Sequence, residues 1–135
     1  MRSAPRVYVS AQRPLGRDFD LLLAGLRDAG VEPYWPDGFR GYDVVASEIN
    51  ECHALLAVIT RESSFSTWQG IEISLASGYP GVGSAPLLAP RPVFIYATTE
   101  LPGYVRSLDD SPHPPLHLET DAKRAVEQVI RPIRR

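Results

Sequence analysis

Positions 54 to 60 read ALLAVIT, and positions 92 to 97 read PVFIYA. Neither run alternates between apolar and polar residues, so neither leaves a face for water. A run of that length predicts a strand covered on both sides, as in the middle of a parallel sheet. RVYVS (6–10) is a shorter β-rich run, and VEPYW (31–35) another; Pro33 lacks the N–H that a central strand must donate, which places VEPYW near an edge. PLHL (115–118) supplies a fifth strand. Helical spacing fills the gaps. Phe19, Leu22, Leu23 and Leu26 make one stripe, closed by Gly30. A second helix runs from Asp43 to about Glu51 with Val44, Val45, Ile49 and Cys52 inward. A third opens at Ser66, where Ser66 and Gln69 match a capping box, and carries Trp68, Ile71, Leu75 and Ala76 as its stripe. Thr120 is expected to cap a last helix with Ala122, Val126, Val129 and Ile133 inward. The stretch YPGVGSAPLLAPRP (79–92) reads as a surface loop, and ELPGYVRSLDD as one short helical turn. This alternation predicts an α/β fold: a doubly wound, largely parallel five-stranded sheet with helices on both faces, in one domain over residues 1–135.

Composition narrows the partners more than the fold. The 135 residues suffice for a core without disulfides or metal, and 44% are hydrophobic. A formal charge of −2 gives no electrostatic footing for nucleic acid or an anionic membrane. No window reaches the length of a membrane span, and MRSAPRVYVSAQ has no apolar signal core, so a cytoplasmic location is expected. Cys52 stands beside His53, but neighbours on a helix point about 100° apart, which favours a buried structural thiol over a nucleophile and its base. His53, His113 and His117 show no metal-ligand spacing, so no metal site is expected.

One residue breaks the hydrophobic pattern. Glu72 follows Trp68 by one turn and falls inside the apolar stripe of the third helix. A buried carboxylate is costly without a partner or a task. In a doubly wound sheet, ligands bind beyond the carboxyl ends of the strands, and here the loops SAQRPLG, PDGFRGY and RESSFS gather at that end. Glu72 lies in the second turn after the third of these loops and is expected to open into a cleft formed with Ser10 to Arg13 and the loop from Pro36 to Tyr42. A structural carboxylate, bonded to loop amides or to Arg13, is the competing account of the same residue.

The run INECHALLAVITRESSFSTWQGIE, with VYVS as first strand and GVEPYW followed by PDGFRGY, resembles the Toll/interleukin-1 receptor (TIR) domain family. Ser66, Trp68 and Glu72 reproduce the family's S-x-W-x-x-x-E signature in register. The resemblance covers residues 6 to 79 and implies the strand order 2-1-3-4-5. It also implies one of two functions, a scaffold that signals by assembling or an enzyme that cleaves NAD between nicotinamide and ribose in immune or antiphage signalling. In the enzymatic case Glu72 would be catalytic and NAD a substrate, with no resident cofactor. By the same resemblance Ser10, Ala11 and Arg13 would lie beside nicotinamide or phosphate. Trp68 would wall the pocket, and Phe39, Arg40 and Tyr42, in what the family calls the BB loop, would cover the ligand. Self-association through that loop, open filaments, and a sensor or effector protein are the partners implied.

A single carboxylate suits that chemistry. Nicotinamide leaves as a neutral molecule from a cationic pyridinium, so no acid has to protonate it, unlike the leaving group of an ordinary glycoside. An oriented anion can hold ribose hydroxyls and stabilise an oxocarbenium-like centre. Two alternatives stand beside this reading. One is a non-enzymatic TIR adaptor. The other is a nucleotide N-glycosidase like the nucleoside 2-deoxyribosyltransferases, which EISLASG resembles; there a neutral base must be protonated as it leaves, and no acid stands near Glu72 in sequence.

Overall fold

The computed structural model describes residues 4–36, 41–77 and 89–133. Five strands, β1 (Arg6–Ala11), β2 (Glu32–Tyr34), β3 (Ala54–Ile59), β4 (Val93–Ala97) and β5 (Leu116–His117), form one sheet in the order 2-1-3-4-5, with every pairing parallel. Helices α1 (Gly16–Asp28), α2 (Tyr42–Asn50), α3 (Thr67–Ser77), α4 (Gly103–Ser107) and α5 (Ala122–Ile133) connect and follow them, with a 3-10 turn at Leu108–Asp110. The doubly wound parallel α/β architecture follows from the two runs apolar on both faces. Every residue of β3 is buried, and so are Val93 to Tyr96 of β4.

Alternation along the central strands assigns the two cores. Val7, Val9, Leu56, Val58, Phe94 and Tyr96 pack against α1 and α5. Tyr8, Leu55, Ala57, Ile59, Val93 and Ile95 point the other way, toward α2, α3 and α4. β2, with Pro33, and the two-residue β5 are the edges. Gly25 of α1 lets α5 approach closely, since a Cβ there would lie 2.8 Å from Val126 Cγ2.

Several local expectations are corrected. Val44 does not face inward but is 47% exposed, because Val45, Ala46 and Ile49 set the phase of α2. The last helix is capped by Asp121, whose Oδ1 accepts the Arg124 N–H at 3.1 Å, while Thr120 gives its carbonyl to the Tyr96 hydroxyl at 2.6 Å. The stripe of α3 is incomplete. Trp68 and Ile71 are only half-buried, whereas Gln69, Gly70 and everything from Glu72 to Ser77 are buried. Most of YPGVGSAPLLAPRP lies outside the described residues, as do Asp37 to Arg40 of the PDGFRGY loop.

Candidate functional site

β1 and β3 lie side by side, and the chain leaves them toward helices on opposite faces of the sheet. α1 follows β1 on one face, and α3 follows β3 on the other. That divergence is the switch point of the fold, and Glu72 sits at it. On a 100° helical wheel Gln69 and Glu72 share the side of α3 turned to the sheet, and Thr67, Gly70 and Ile71 share the opposite side, where with Phe65 and Tyr104 they border a cavity of about 300 Å³.

Glu72 is 7% exposed. Both carboxylate oxygens accept hydrogen bonds from hydroxyls of β1: the Tyr8 hydroxyl donates to Oε2, and Ser10 Oγ donates to Oε1 at 2.9 Å. Tyr8 and Ser10 are two residues apart on one strand, so their side chains leave the same face and converge on one carboxylate. Tyr8 is itself fully buried, with its ring 5.8 Å from that of Tyr34, whose hydroxyl donates to Glu48 of α2.

Gln69, one turn before Glu72, is 2% exposed. Its backbone N–H is capped by Ser66 Oγ at 3.1 Å, as the capping box predicts. Its side chain does not complete the box. Instead Nε2 donates to the Ser10 carbonyl at 2.7 Å and the Val58 carbonyl at 3.1 Å, bridging β1 and β3. Ser63 adds a second stitch at this end: its Oγ donates to the Gln12 carbonyl at 2.7 Å and accepts the Gln12 N–H at 2.9 Å.

The other expected site residues divide into two groups. Trp68 and Tyr42 meet, with ring centroids 5.5 Å apart, and Tyr42 at the start of α2 is 41% exposed. Ala11 and Arg13 lie on the α1 side instead. There Trp35 Nε1 donates to the Ala11 carbonyl at 3.4 Å, the Arg13 guanidinium lies 4.7 Å over the Trp35 ring, and Phe19 packs edge-on against the same ring at 5.3 Å. Phe39 and Arg40 lie outside the described residues. Sequence reasoning missed Tyr8, Gln69, Trp35 and Ser63. Period-2 spacing from Ser10 was the one available signal, and it pointed to Tyr8.

Cys52 is buried, as expected, and its thiol donates to the Glu48 carbonyl at 3.3 Å. Burial pushes that thiol up to about 12, so at neutral pH it is no nucleophile. His53 Nδ1 accepts the Arg6 N–H at 3.3 Å, and His117 pairs with Asp109 at 2.8 Å. Among the described residues no three His, Cys, Asp or Glu side chains gather as a metal site, and no helix is long and apolar enough to cross a membrane.

The geometry defines a class: a doubly wound parallel α/β domain with a buried carboxylate held by hydroxyls at its strand switch point. No protein-family model matches the chain, and no curated protein compared with it gives a significant match.

Proposed function

We propose that this chain is an NAD-cleaving domain of TIR type, with Glu72 as the catalytic carboxylate and the end of β1 as the floor of its site. The observation that carries the reading is the placement of Glu72. It stands at the switch point where this architecture binds ligands, and the Tyr8 and Ser10 hydroxyls fix one oxygen each. The reaction needs an oriented anion more than a proton donor, since the pyridinium leaves as neutral nicotinamide and water or a hydroxyl of the same ligand takes its place at the anomeric carbon. Trp68 and Tyr42 offer aromatic surface on the same side of the sheet, and Arg13 a cation on the other.

The test is chromatography of NAD incubated with concentrated protein, with Glu72→Gln as control. Nicotinamide release by wild type and none by the variant is the expected result. Equal traces from both would remove Glu72 from the chemistry. Assembly belongs to the proposal as well: a head-to-tail contact through the loop before α2 would not close on itself, so it would yield open filaments, and specific activity should climb with protein concentration.

One observation favours a second reading. A carboxylate only 7% exposed, with a hydroxyl on each oxygen, is also what a purely structural glutamate looks like in a non-enzymatic adaptor. In that case Glu72→Gln changes stability, NAD is untouched at every concentration, and the surface around Tyr42 carries the function.

A further inference from the structure

Glu72 is gripped by β1 through side chains, and one turn earlier α3 grips β1 through its backbone. Gln69 Nε2 carries two N–H groups, and one bonds to each of two neighbouring strands, Ser10 O at 2.7 Å and Val58 O at 3.1 Å. In the β1–β3 ladder Ser10 pairs with Ala57 and Ala11 with Val58, so the two carbonyls lie at the last rungs, beside the point where the chains part. A neutral side-chain nitrogen with two donors is found only in Asn and Gln. Glutamate at this position would set oxygens against the carbonyls, and a hydrocarbon would leave both without a partner.

Ser10 is thereby held twice from one helix: its carbonyl by Gln69, and its hydroxyl against Glu72 at 2.9 Å. Two contacts one turn apart fix both the height of α3 along β1 and its rotation about its own axis. Gln69 Oε1 is buried without a hydrogen-bond partner, an arrangement that works against folding and that native structures seldom keep without cause. We propose that Gln69 is the positioning residue of this site, setting the register between Ser10 and Glu72, an inference that rests on Glu72 being the reacting carboxylate. Reacting groups must be held within about 0.5 Å, and a misplacement on the order of 1 Å costs roughly 10²-fold in rate.

The experiment compares wild type with Gln69→Met, which keeps length and bulk but has no donor, and with the milder Gln69→Asn. Urea unfolding reports the fold, and initial rates of NAD cleavage give kcat and KM separately. For folded Gln69→Met the expectation is a kcat lower by at least about tenfold, with KM within about twofold of wild type. A folded variant with wild-type kcat overturns the proposal. If Gln69→Met does not fold, Gln69→Asn decides on the same criterion; if neither folds, Gln69 is a folding residue and the proposal is lost. Should wild type leave NAD intact, it is the reading of Glu72 that has failed, and positioning is judged by the carbon-13 carboxyl resonance of Glu72, assigned with Glu72→Gln. A single sharp resonance in wild type that broadens or doubles in the folded Gln69 variant supports positioning, and an unchanged single resonance overturns it.

Discussion

The bond between Tyr8 and Glu72 carries a stability signature that does not depend on any activity. Tyr8 is fully buried, and its hydroxyl donates to a carboxylate that is itself nearly so. Hydrogen bonds to charged groups contribute about 1.5–3 kcal/mol net, so Tyr8→Phe should lower the unfolding free energy by about that amount. Glu72→Leu removes the acceptor of two buried hydroxyl bonds, those of Tyr8 and Ser10, at about 1–3 kcal/mol each. Its expected cost is therefore about 2–6 kcal/mol. In the double variant the Tyr8 hydroxyl is gone and only the loss at Ser10 persists, about 1–3 kcal/mol, so the combined loss should fall short of the sum of the single losses by about 2.5–6 kcal/mol. A domain of 135 residues has on the order of 5–15 kcal/mol to lose, so the single variants should remain measurable. Urea unfolding of the four proteins gives the coupling directly, provided the slope with denaturant is shared. A coupling under about 0.5 kcal/mol would mean that the hydroxyl and the carboxylate do not meet in solution, and the account of Glu72 as a held anion would fall.

Two further outcomes follow from the cores. Burial raises Cys52 from 9.0 to about 12, and burial followed by the neighbouring Asp18 charge raises Tyr96 from 10.0 to about 12. Between those limits the folded chain binds more protons than the unfolded one, so the contribution is complete below pH 9 and is lost as pH climbs toward 12; thermal midpoints should fall over that range, less steeply in Cys52→Ala, and a flat profile would contradict it. Gly25→Ala should destabilise by about 1–3 kcal/mol, because the new Cβ meets Val126 at 2.8 Å, and Val126→Ala in the same chain should restore part of the loss; additive losses in urea unfolding would deny that clash.

How far the sequence reveals this molecule depends on what is being read. β3 and β4 are legible because burial on both faces forces unbroken apolar runs, and α1 because its stripe is regular. α3 is not. Its apolar spacing places Trp68 and Ile71 deepest, yet Gln69, Ser74 and Ser77 are buried more completely. Each of these polar residues has a local means of satisfying its donor: Ser77 Oγ donates to the Ile73 carbonyl at 2.8 Å, Ser74 pairs with the Tyr104 hydroxyl, and Gln69 reaches two strands. Hydrophobic periodicity records transfer cost and is blind to hydrogen bonds that cancel it. The same blindness hid Tyr8, whose ring suits a central strand and whose hydroxyl acquires meaning only once α3 is docked. Thr120 and Asp121 are both good caps by residue type, and the choice turned on Tyr96, a residue from another strand that takes the Thr120 carbonyl.

The division of the expected site residues between the two faces of the sheet has its own consequence. Ser10, Glu72, Trp68 and Tyr42 belong to the α2–α3 side, and Ala11 and Arg13 to the α1 side, where Trp35 supports the guanidinium. β1 spans both, since successive residues point to opposite faces. Under the proposed function, a dinucleotide laid across the end of β1 would put its nicotinamide ribose by the carboxylate and its pyrophosphate toward the cation. The charge of the phosphates is the same in the bound substrate and in the transition state, so an arginine that touches only phosphate binds both equally. Arg13→Ala should then raise KM for NAD by about tenfold, the equivalent of about 1.4 kcal/mol, with kcat nearly unchanged, while Glu72→Gln removes turnover. Trp35→Leu should reproduce the Arg13 effect in milder form by loosening the support under the guanidinium. A loss of kcat with unchanged KM in Arg13→Ala would place that cation at the reacting centre instead, and an Arg13 variant indistinguishable from wild type would show that the ligand does not cross β1 at all.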